Sequence, residues 1–510
     1  MPGSSSGSWT SVLRLQAAAA KTLRYLVAPL EDPSAAAPRR LTARRKGASV
    51  RVHMDDLIEE PALEQAARVR RGEVSIVELT RAYLGRIEVQ NGRYGAFVEV
   101  RPEAALRTAR RLDRERTRAP DVARGPLFGL PTGIKDLHLT RGFFARFGSR
   151  AYRFVWSPID DETSAAVRRA GMVIVGKLAT SELALLPIVH TQLHPPARNP
   201  WDPTRYSGGS SGGSGAALSA GLLPIAPASD GGGSIRIPAA FCGLVGHKPS
   251  RGLVPNPYRR LDTPEISVIG PHARTVDDAA ALLDVLLGRA PGEPGFASQL
   301  ARPPGKLRVR VTTENPLVQC EPRIAAAVAR AAKALEAMGH EVDEGTSIEG
   351  VASEFLPLFE FVAARTPLLI ERLLEPATLH LRRRGRTVTR AQAFAAREVL
   401  GGRVDRWFEG VDVWLTPTVA VAPPAVGAWV ELGAEETWEA AVPLAAFTAV
   451  FNASGHPAIS VPIRPDDGGL PMGVQLIGRR GDDLLLLRLA RALMVALGTP
   501  VAPLARTARP

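Results

Sequence analysis

Two short stretches of this sequence concentrate glycine and serine: RYSGGSSGGSGAAL at 205–218 and PASDGGGSIRIPAAFCG at 227–243. Dense glycine allows backbone amides to approach a ligand closely, and serine adds hydroxyl groups to the same surface. A flexible linker is the plain alternative, but the first stretch runs directly into the apolar segment AALSAGLL instead of a polar spacer. We therefore interpret both stretches as functional loops.

Three familiar kinds of site fit these loops poorly. Neither loop matches a phosphate-binding Walker A pattern, and GLVGHKPS has proline where that motif needs Ser or Thr. Residues 208–212 match the nucleophile-elbow pattern G-x-S-x-G, but the turn-rich ARNPWDPTRYS precedes them where a buried strand is required. His190 and His194 have helical spacing but lie among prolines, which argues against a metal pair, and we find no histidine placed as a serine hydrolase base.

Lysine is the remaining candidate for a general base. Only seven of the 64 basic residues are lysines, so a position that keeps lysine can indicate a need for an amine. Arginine does not lose its proton in proteins, whereas a desolvated lysine can accept one from serine. Lys135 with the serines of the two loops would form a Ser-Lys variant of the catalytic triad. We interpret Lys177 and Lys248 as scaffold positions.

The elements that must position these residues begin with helices. Ser75 and Glu78 form a capping-box pattern that predicts a helix start, and a second helical stretch is predicted at 102–117. The apolar face of the first helix is predicted from its 3.6-residue period: Ile76, Leu79, Tyr83 and Ile87.

Strands and helices then alternate along the chain. LFGLPTGIKDLHLT predicts a turn and a short apolar strand that ends at Lys135-Asp136, and TSAAVRRAGMVIVGKLAT predicts a helix that stops at Gly171, followed by the strand MVIVG. Further strand signals are KLRVRV, VDVWLTP, AISVPI and GVQLIG, and further helices are predicted at 322–338 and 481–498. This alternation is typical of an α/β fold.

The domain organisation follows from composition. No break, repeat or linker divides residues 54–500, which predicts one large α/β domain followed by a tail at 501–510. Residues 1–53 hold nine basic and two acidic side chains, and so contribute +7 of the net charge of +13. We predict that they are a basic, flexible extension without a signal peptide, or that the start codon is misassigned and Met54 is the true start.

Composition also excludes several classes of function. No apolar run reaches the roughly 18 to 20 residues of a membrane span, so we predict no integral membrane segment. Two cysteines in 510 residues exclude a disulfide framework and favour a reducing compartment, the cytoplasm. The positive charge is concentrated in the extension and no zinc finger, RNP-like strand or basic zipper accompanies it, so nucleic-acid binding is not expected.

The two loops and Lys135 together resemble the amidase signature family. The resemblance is carried by GLPTGIKDL at 129–137, by ARNPWDPTRYSGGSSGGSGAALSAGLLPIA at 197–226, and by SDGGGSIRIPAAFCGLVGHKPSRG at 229–252. Lys135, Ser210 and Ser234 follow one another at intervals of 75 and 24 residues, as in family members. Weaker similarities extend the resemblance over about residues 54–498: GPHARTVDDAA, LTPTVAVAPP, FNASGHPAISVP and GLPMGVQLIGRRGDD.

The resemblance implies a fold and an active site. The fold is a single α/β/α domain with a mixed, twisted central sheet of about eleven strands flanked by helices. The catalytic residues are Ser234 as nucleophile, Ser210 as bridging serine after a cis bond to Gly209, and Lys135 as base. The oxyanion hole is implied to consist of backbone amides of one loop segment: Gly231, Gly232, Gly233 and Ser234.

Three further residues are implied to support the site. Ser211 is expected to extend the hydrogen-bond network, whereas Asp230 and Arg236 are expected to fix the backbone or the charge of the second loop. The resemblance implies that neither a metal nor a cofactor is required.

The implied activity is hydrolysis of a small linear or cyclic carboxylic acid amide through an acyl-enzyme on Ser234. SDGGGS replaces the frequent TDTGGS, and Ser207 stands where proline is common, so the sequence is most similar to the branch of 6-aminohexanoate cyclic-dimer hydrolases and related bacterial amidases. The expected partners are a small-molecule amide and, as an open alternative to a monomer, a second copy of the chain.

Alternatives with the same triad stay open at this point. The A subunit of a tRNA-dependent amidotransferase usually reads SIRQP, and Ile237 in SIRIP disfavours that role. An esterase could use the same residues, because esters are easier acyl donors than amides. A non-catalytic scaffold is disfavoured because all three triad positions are intact.

Overall fold

A computed structural model describes residues 54–120, 124–257, 264–348, 351–368, 370–464 and 468–505. The predicted extension at 1–53 and residues 506–510 of the predicted tail lie outside the described residues, so the expectations about them stay predictions. None of the helices in the described ranges combines the length and the apolar character that a membrane crossing requires.

The described ranges contain helices α1 to α15: Met54–Glu59, Ala62–Arg71, Ile76–Tyr94, Pro102–Arg118, Glu162–Arg169, Gly212–Ser219, Arg236–Cys242, Val276–Leu286, Pro322–Ala337, Val351–Arg365, Pro376–Gly385, Arg390–Trp407, Ala434–Ala445, Ala449–Ser454 and Asp483–Ala496. They also contain strands β1 to β13: Phe97–Val100, Pro131–Lys135, Val173–Leu178, Arg198–Asn199, Asp202–Tyr206, Ala226–Asp230, Val245–Lys248, Val268–Ala273, Arg308–Val311, Glu341–Glu344, Val413–Pro417, Ala458–Ile463 and Met472–Gly478.

The strands form one large mixed sheet and two small ones. The large sheet has eight strands in the order β10-β9-β11-β13-β12-β7-β8-β6. Strand β9 pairs in parallel with β10 and β11, and the remaining pairs are antiparallel. A three-stranded sheet has the order β1-β3-β2, and β4 and β5 form a two-stranded ribbon. The mixed α/β fold predicted from the sequence is confirmed.

The sequence predicts one sheet of about eleven strands, whereas the backbone hydrogen bonds divide these strands between two separate sheets. The eight-stranded and three-stranded sheets together supply eleven strands, but β2 and β6 lie side by side without forming a ladder. The Thr132 hydroxyl of β2 instead donates to the carbonyl of Ile225, at 2.9 Å, just before β6. The beginnings of β2 and β6 are thereby held next to each other, and the Gly-rich part of the second loop follows the other end of β6.

The first predicted helix forms for the reasons given by its sequence. Ser75 Oγ accepts a hydrogen bond from the Glu78 amide at 3.1 Å, and Glu78 Oε2 accepts one from the Ser75 amide at 2.8 Å. The predicted apolar face is buried against the core: Ile76, Leu79, Tyr83 and Ile87. A capping box satisfies amide groups that a helix end leaves without partners, which fixes the start of α3.

Candidate active site

Lys135 is buried at the end of β2, where hydroxyl groups surround its amine. Its Nζ lies 2.7 Å from Ser210 Oγ, 2.9 Å from Ser211 Oγ and 2.9 Å from Ser229 Oγ. No carboxylate in the described part of the chain forms a salt bridge with it. The lysine therefore sits in a polar but uncharged cage of three serines.

The burial of Lys135 alters its protonation. Loss of hydration lowers the pKa of the ammonium to about 7, although the negative charge of Asp230 opposes this lowering. The side chain is fully buried. A substantial fraction of Lys135 is consequently the neutral amine near pH 7, and the neutral amine can accept a proton.

The Gly-Ser run places Ser210 and Ser211 beside this amine. The peptide bond between Gly209 and Ser210 is cis, as the resemblance implies. A Cβ at Gly209 would lie 2.6 Å from the backbone nitrogen of Ile188, so only glycine fits there. Helix α6 begins at Gly212, within the run itself. The run is therefore a tightly packed turn into a helix, which confirms that it is not a linker.

The second loop, between β6 and α7, carries Ser234 at a partly exposed position, in contrast to the fully buried Ser210. The Ser234 hydroxyl is in none of the hydrogen bonds among the described residues, including any with Ser210. Ser234 is thus accessible to a small molecule at the edge of the buried cluster.

The backbone amides of this loop have different partners. Gly233 has φ +130 and donates its amide hydrogen to Asp230 Oδ1 at 2.6 Å. Within the described ranges, no hydrogen bond uses the amides of Gly231, Gly232 or Ser234. Of the four amides that the resemblance implies for an oxyanion hole, three are therefore free to bind a ligand and one is engaged by Asp230.

Asp230 and Arg236 form the buried support of the loop. The Arg236 guanidinium donates to both Asp230 carboxylate oxygens, at 2.9 and 3.0 Å, and this pairing holds the pKa of the Asp230 carboxyl well below its usual range against the effect of burial. Arg236 also donates to Asn452 Oδ1 at 2.6 Å and to Gln475 Oε1 at 2.8 Å. Both charged groups are thus satisfied internally, and neither faces the solvent.

Ser229 is the residue of the cluster that sequence reasoning missed. It precedes Asp230 in β6 and its hydroxyl contacts Lys135 Nζ. Its carbonyl accepts a hydrogen bond from Ser211 Oγ at 3.1 Å, which links the two loops. The first letter of the SDGGGS motif was the available signal.

The other residues considered from the sequence lie elsewhere. Lys177 donates to the His138 carbonyl and lies 3.8 Å from Asp136 Oδ1, and Lys248 donates to the carbonyl of Pro249 at 2.9 Å. Neither is among the groups around Lys135. His190 contacts the Tyr206 hydroxyl at 3.2 Å.

Comparisons with known proteins identify the family of the chain. The Amidase family model matches residues 78–487. The Mycobacterium tuberculosis protein named "Putative amidase AmiB2" is 37% identical over 447 residues, which cover 85% of this chain and 96% of that protein.

Two further comparisons are with 6-aminohexanoate cyclic-dimer hydrolases. The 6-aminohexanoate-cyclic-dimer hydrolase of Paenarthrobacter ureafaciens is 34% identical over 482 residues, covering 86% of this chain and 95% of that protein. A solved structure of a 6-aminohexanoate cyclic dimer hydrolase with its substrate superposes with a TM-score of 0.78 at 32% identity, covering 88% of this chain and all of that one. The chain therefore belongs to the amidase signature family of amidohydrolases.

Proposed function

We propose that this amidohydrolase cleaves small amides through an acyl-enzyme on Ser234, with Ser210 as the relay and Lys135 as the base. One observation carries the proposal. A buried lysine with a pKa of about 7 lies 2.7 Å from Ser210 Oγ, and the turn that holds Ser210 adjoins the loop that holds the accessible Ser234. The relay from Ser234 to Ser210 forms, in this account, when substrate is bound.

The proton and bond changes balance without a further reactant except water. Neutral Lys135 takes the proton of Ser210, and Ser210 takes the proton of Ser234 as the Ser234 oxygen attacks the amide carbonyl. The same relay then returns a proton to the amide nitrogen, the C–N bond breaks and the amine leaves. Water attacks the resulting ester by the same route, which releases the acid and regenerates Ser234.

The developing negative charge on the carbonyl oxygen needs donors already in place. We propose the amides of Gly231, Gly232 and Ser234 for this role, since Gly233 donates to Asp230. We propose that Asp230 and Arg236 position the loop. Ser211 and Ser229 hold the amine of Lys135, so that the lone pair of the amine can accept the proton of Ser210.

The proposed substrate class is a small linear or cyclic amide of a carboxylic acid. Two relatives are named for the hydrolysis of a cyclic dimer of 6-aminohexanoate, which contains amide bonds in a ring. Three expectations from the sequence stay predictions: a cytoplasmic location, the absence of a nucleic-acid partner, and a second copy of the chain as an alternative to a monomer.

A pair of alanine variants tests the nucleophile. Ser234→Ala should lower kcat for an amide substrate by on the order of 10⁶-fold, because it removes the attacking oxygen. Ser214→Ala is the matched control, since Ser214 is a buried serine of the first loop whose hydroxyl lacks a hydrogen-bond partner among the described residues. Comparable turnover in the two variants would refute the assignment.

A further inference from the structure

An aromatic side chain stands over the loop that carries the proposed nucleophile. A Cβ at Gly232 would lie 3.4 Å from Phe355 Cζ, in ordinary van der Waals contact, so the Phe355 ring covers this part of the backbone. Phe355 belongs to α10 and is half-buried. Part of its ring is therefore available to a molecule bound at Ser234, two residues further along the loop.

Two more aromatic rings continue from Phe355. Phe359 stacks on Phe355 with ring centroids 5.6 Å apart and 23° between the planes. Trp438 of α13 meets Phe359 edge to face, with centroids 6.0 Å apart. Phe359 and Trp438 are also half-buried. The three rings form a continuous aromatic wall that leads away from Gly232.

The surroundings of this wall are apolar. Phe359 and Trp438 pack against an apolar cluster whose buried members include Leu183 and Leu185, from the segment that follows β3. That segment continues to Ile188, which is in contact with Gly209 beside the bridging serine. Phe355 of the wall thus contacts the second loop, whereas Ile188 contacts the first.

Three nearby carboxyl groups have hydrogen-bond or ion-pair partners of their own. Glu354 lies 3.4 Å from Arg403, and Glu360 lies 2.6 Å from Arg384. Glu182, next to Leu183, is buried and accepts a hydrogen bond from the Ser149 hydroxyl at 2.6 Å. A charged substituent in contact with the rings of Phe355 and Phe359 would face apolar ring surface, and its desolvation would be unfavourable.

The position of the wall also indicates which half of an amide it would contact. In the proposed mechanism the departing amine receives its proton from Ser210, and so lies on the side of the first loop. Phe355 covers Gly232 of the second loop, whose amides face the carbonyl oxygen. The substituent on the acyl side stays bonded to the carbonyl carbon through both steps.

We propose that Phe355, Phe359 and Trp438 form the subsite for the acyl group, and that the enzyme prefers amides of uncharged carboxylic acids with an aryl or bulky apolar substituent. This inference rests on the proposed function of Ser234. Phe355 is its specificity-determining residue, because it is the ring that reaches the catalytic loop.

Two sulfonyl fluorides that differ by one ring test the subsite. Phenylmethanesulfonyl fluoride and methanesulfonyl fluoride both react with an activated serine, and only the first offers a phenyl group to the wall. We measure the ratio of their second-order inactivation rate constants in the wild type and in Phe355→Ala, which cancels their intrinsic reactivities. The ratio should fall by about tenfold in the variant, with the rate for the small reagent nearly unchanged.

Phe394→Ala is the matched control, because Phe394 is a half-buried phenylalanine of α12 that lies against Arg390 and Arg397 instead of the wall. Its ratio should equal that of the wild type. Phe355→Leu, which keeps most of the volume, should shift the ratio in the same direction as Phe355→Ala and covers the case in which the alanine variant does not fold. An unchanged ratio in folded Phe355 variants overturns the subsite, whereas wild-type protein that neither reagent modifies at Ser234 overturns the proposed function.

Amide hydrolysis distinguishes the acyl side from the amine side. The wild type should show a higher kcat/KM for 3-phenylpropanamide than for propanamide, and Phe355→Ala should reduce this preference by about tenfold. N-benzylpropanamide carries its ring on the amine instead. A Phe355 effect confined to that substrate would place the wall on the amine side and overturn the assignment.

Discussion

At the scale of single residues, function depends on how one lysine differs from two others. Lys135, Lys177 and Lys248 are all fully buried, and burial lowers the pKa of each ammonium. Lys177 has Asp136 beside it, and the charges of Asp230 and Asp483 act on Lys248. Only Lys135 has its amine among three serine hydroxyls. The role proposed for Lys135 therefore depends on the neighbours of its amine and not on burial alone.

Replacing Lys135 should lower the activity of the protein and raise its stability. Lys135→Met should lower kcat by about 10²- to 10⁴-fold, because it removes the base. The pKa of this lysine is lower in the folded than in the unfolded chain, so between about pH 7 and its ordinary value the unfolded chain binds more protons. The ammonium thus destabilises the fold most fully below about pH 7, and the variant should have a higher Tm than the wild type at pH 7. Wild-type turnover in a folded Lys135→Met would contradict the role of the lysine.

The pH dependence of turnover follows from the same group. Because the neutral amine is the active form, kcat/KM should rise as pH increases through about 7 and then level off. Burial also lowers the pKa of Lys248 to about 7, so Lys248→Met is the necessary control and should keep the midpoint. A rate that falls with rising pH over this range, or a midpoint that moves with Lys248, would contradict the assignment.

At the scale of elements, the second loop is held in shape by one carboxylate and one close contact. Asp230 accepts hydrogen bonds from the amides of Gly233 and Ile235 and from Arg236. The Thr448 hydroxyl donates to the Gly232 carbonyl at 2.7 Å from the other side. None of these bonds uses the amides of Gly231, Gly232 or Ser234, the proposed oxyanion donors.

Gly233→Ala should disrupt this loop. The residue has φ +130, and a Cβ there would lie 2.3 Å from Thr448 Oγ1, so both the backbone and the packing resist a side chain. We expect a loss of kcat of at least about 100-fold, comparable to the removal of an oxyanion donor. Gly252→Ala is the control, since Gly252 has φ +82 but open space around its Cβ position, and its cost should be confined to about 1–2 kcal/mol of backbone strain. Equal activities in the two variants would contradict the proposed loop geometry.

At the scale of the whole molecule, some elements follow from local sequence and others form only through pairing and packing. The capping box at Ser75 and the strands rich in β-branched residues, such as AISVPI, follow local rules and are confirmed. Strand β6 reads APASD, contains Pro227 and lacks β-branched residues, so it gives no local signal and forms because it pairs with β8. The aromatic wall joins Phe359 and Trp438 across two helices, a contact that only tertiary packing creates.

The hydrogen bonds around Lys135 also could not all be predicted from the sequence. Spacing and resemblance identified Lys135, Ser210 and Ser234, whereas the contact of Ser229 with Lys135 joins two strands 94 residues apart. The use of the Gly233 amide by Asp230 likewise depends on the path of the loop in space. Residue types therefore predicted the chemistry, and the folded chain specifies which donors remain available for it.

The most direct test of the central claim is the site at which a fluorophosphonate modifies the purified chain, with no partner subunit or tRNA present. We predict a single adduct, located by mass spectrometry of the digested protein on Ser234, and a labelling rate at least about 100-fold lower in Lys135→Met, because the proposed nucleophile needs its base. An adduct on Ser210 or any other serine, or undiminished labelling in Lys135→Met, would contradict it.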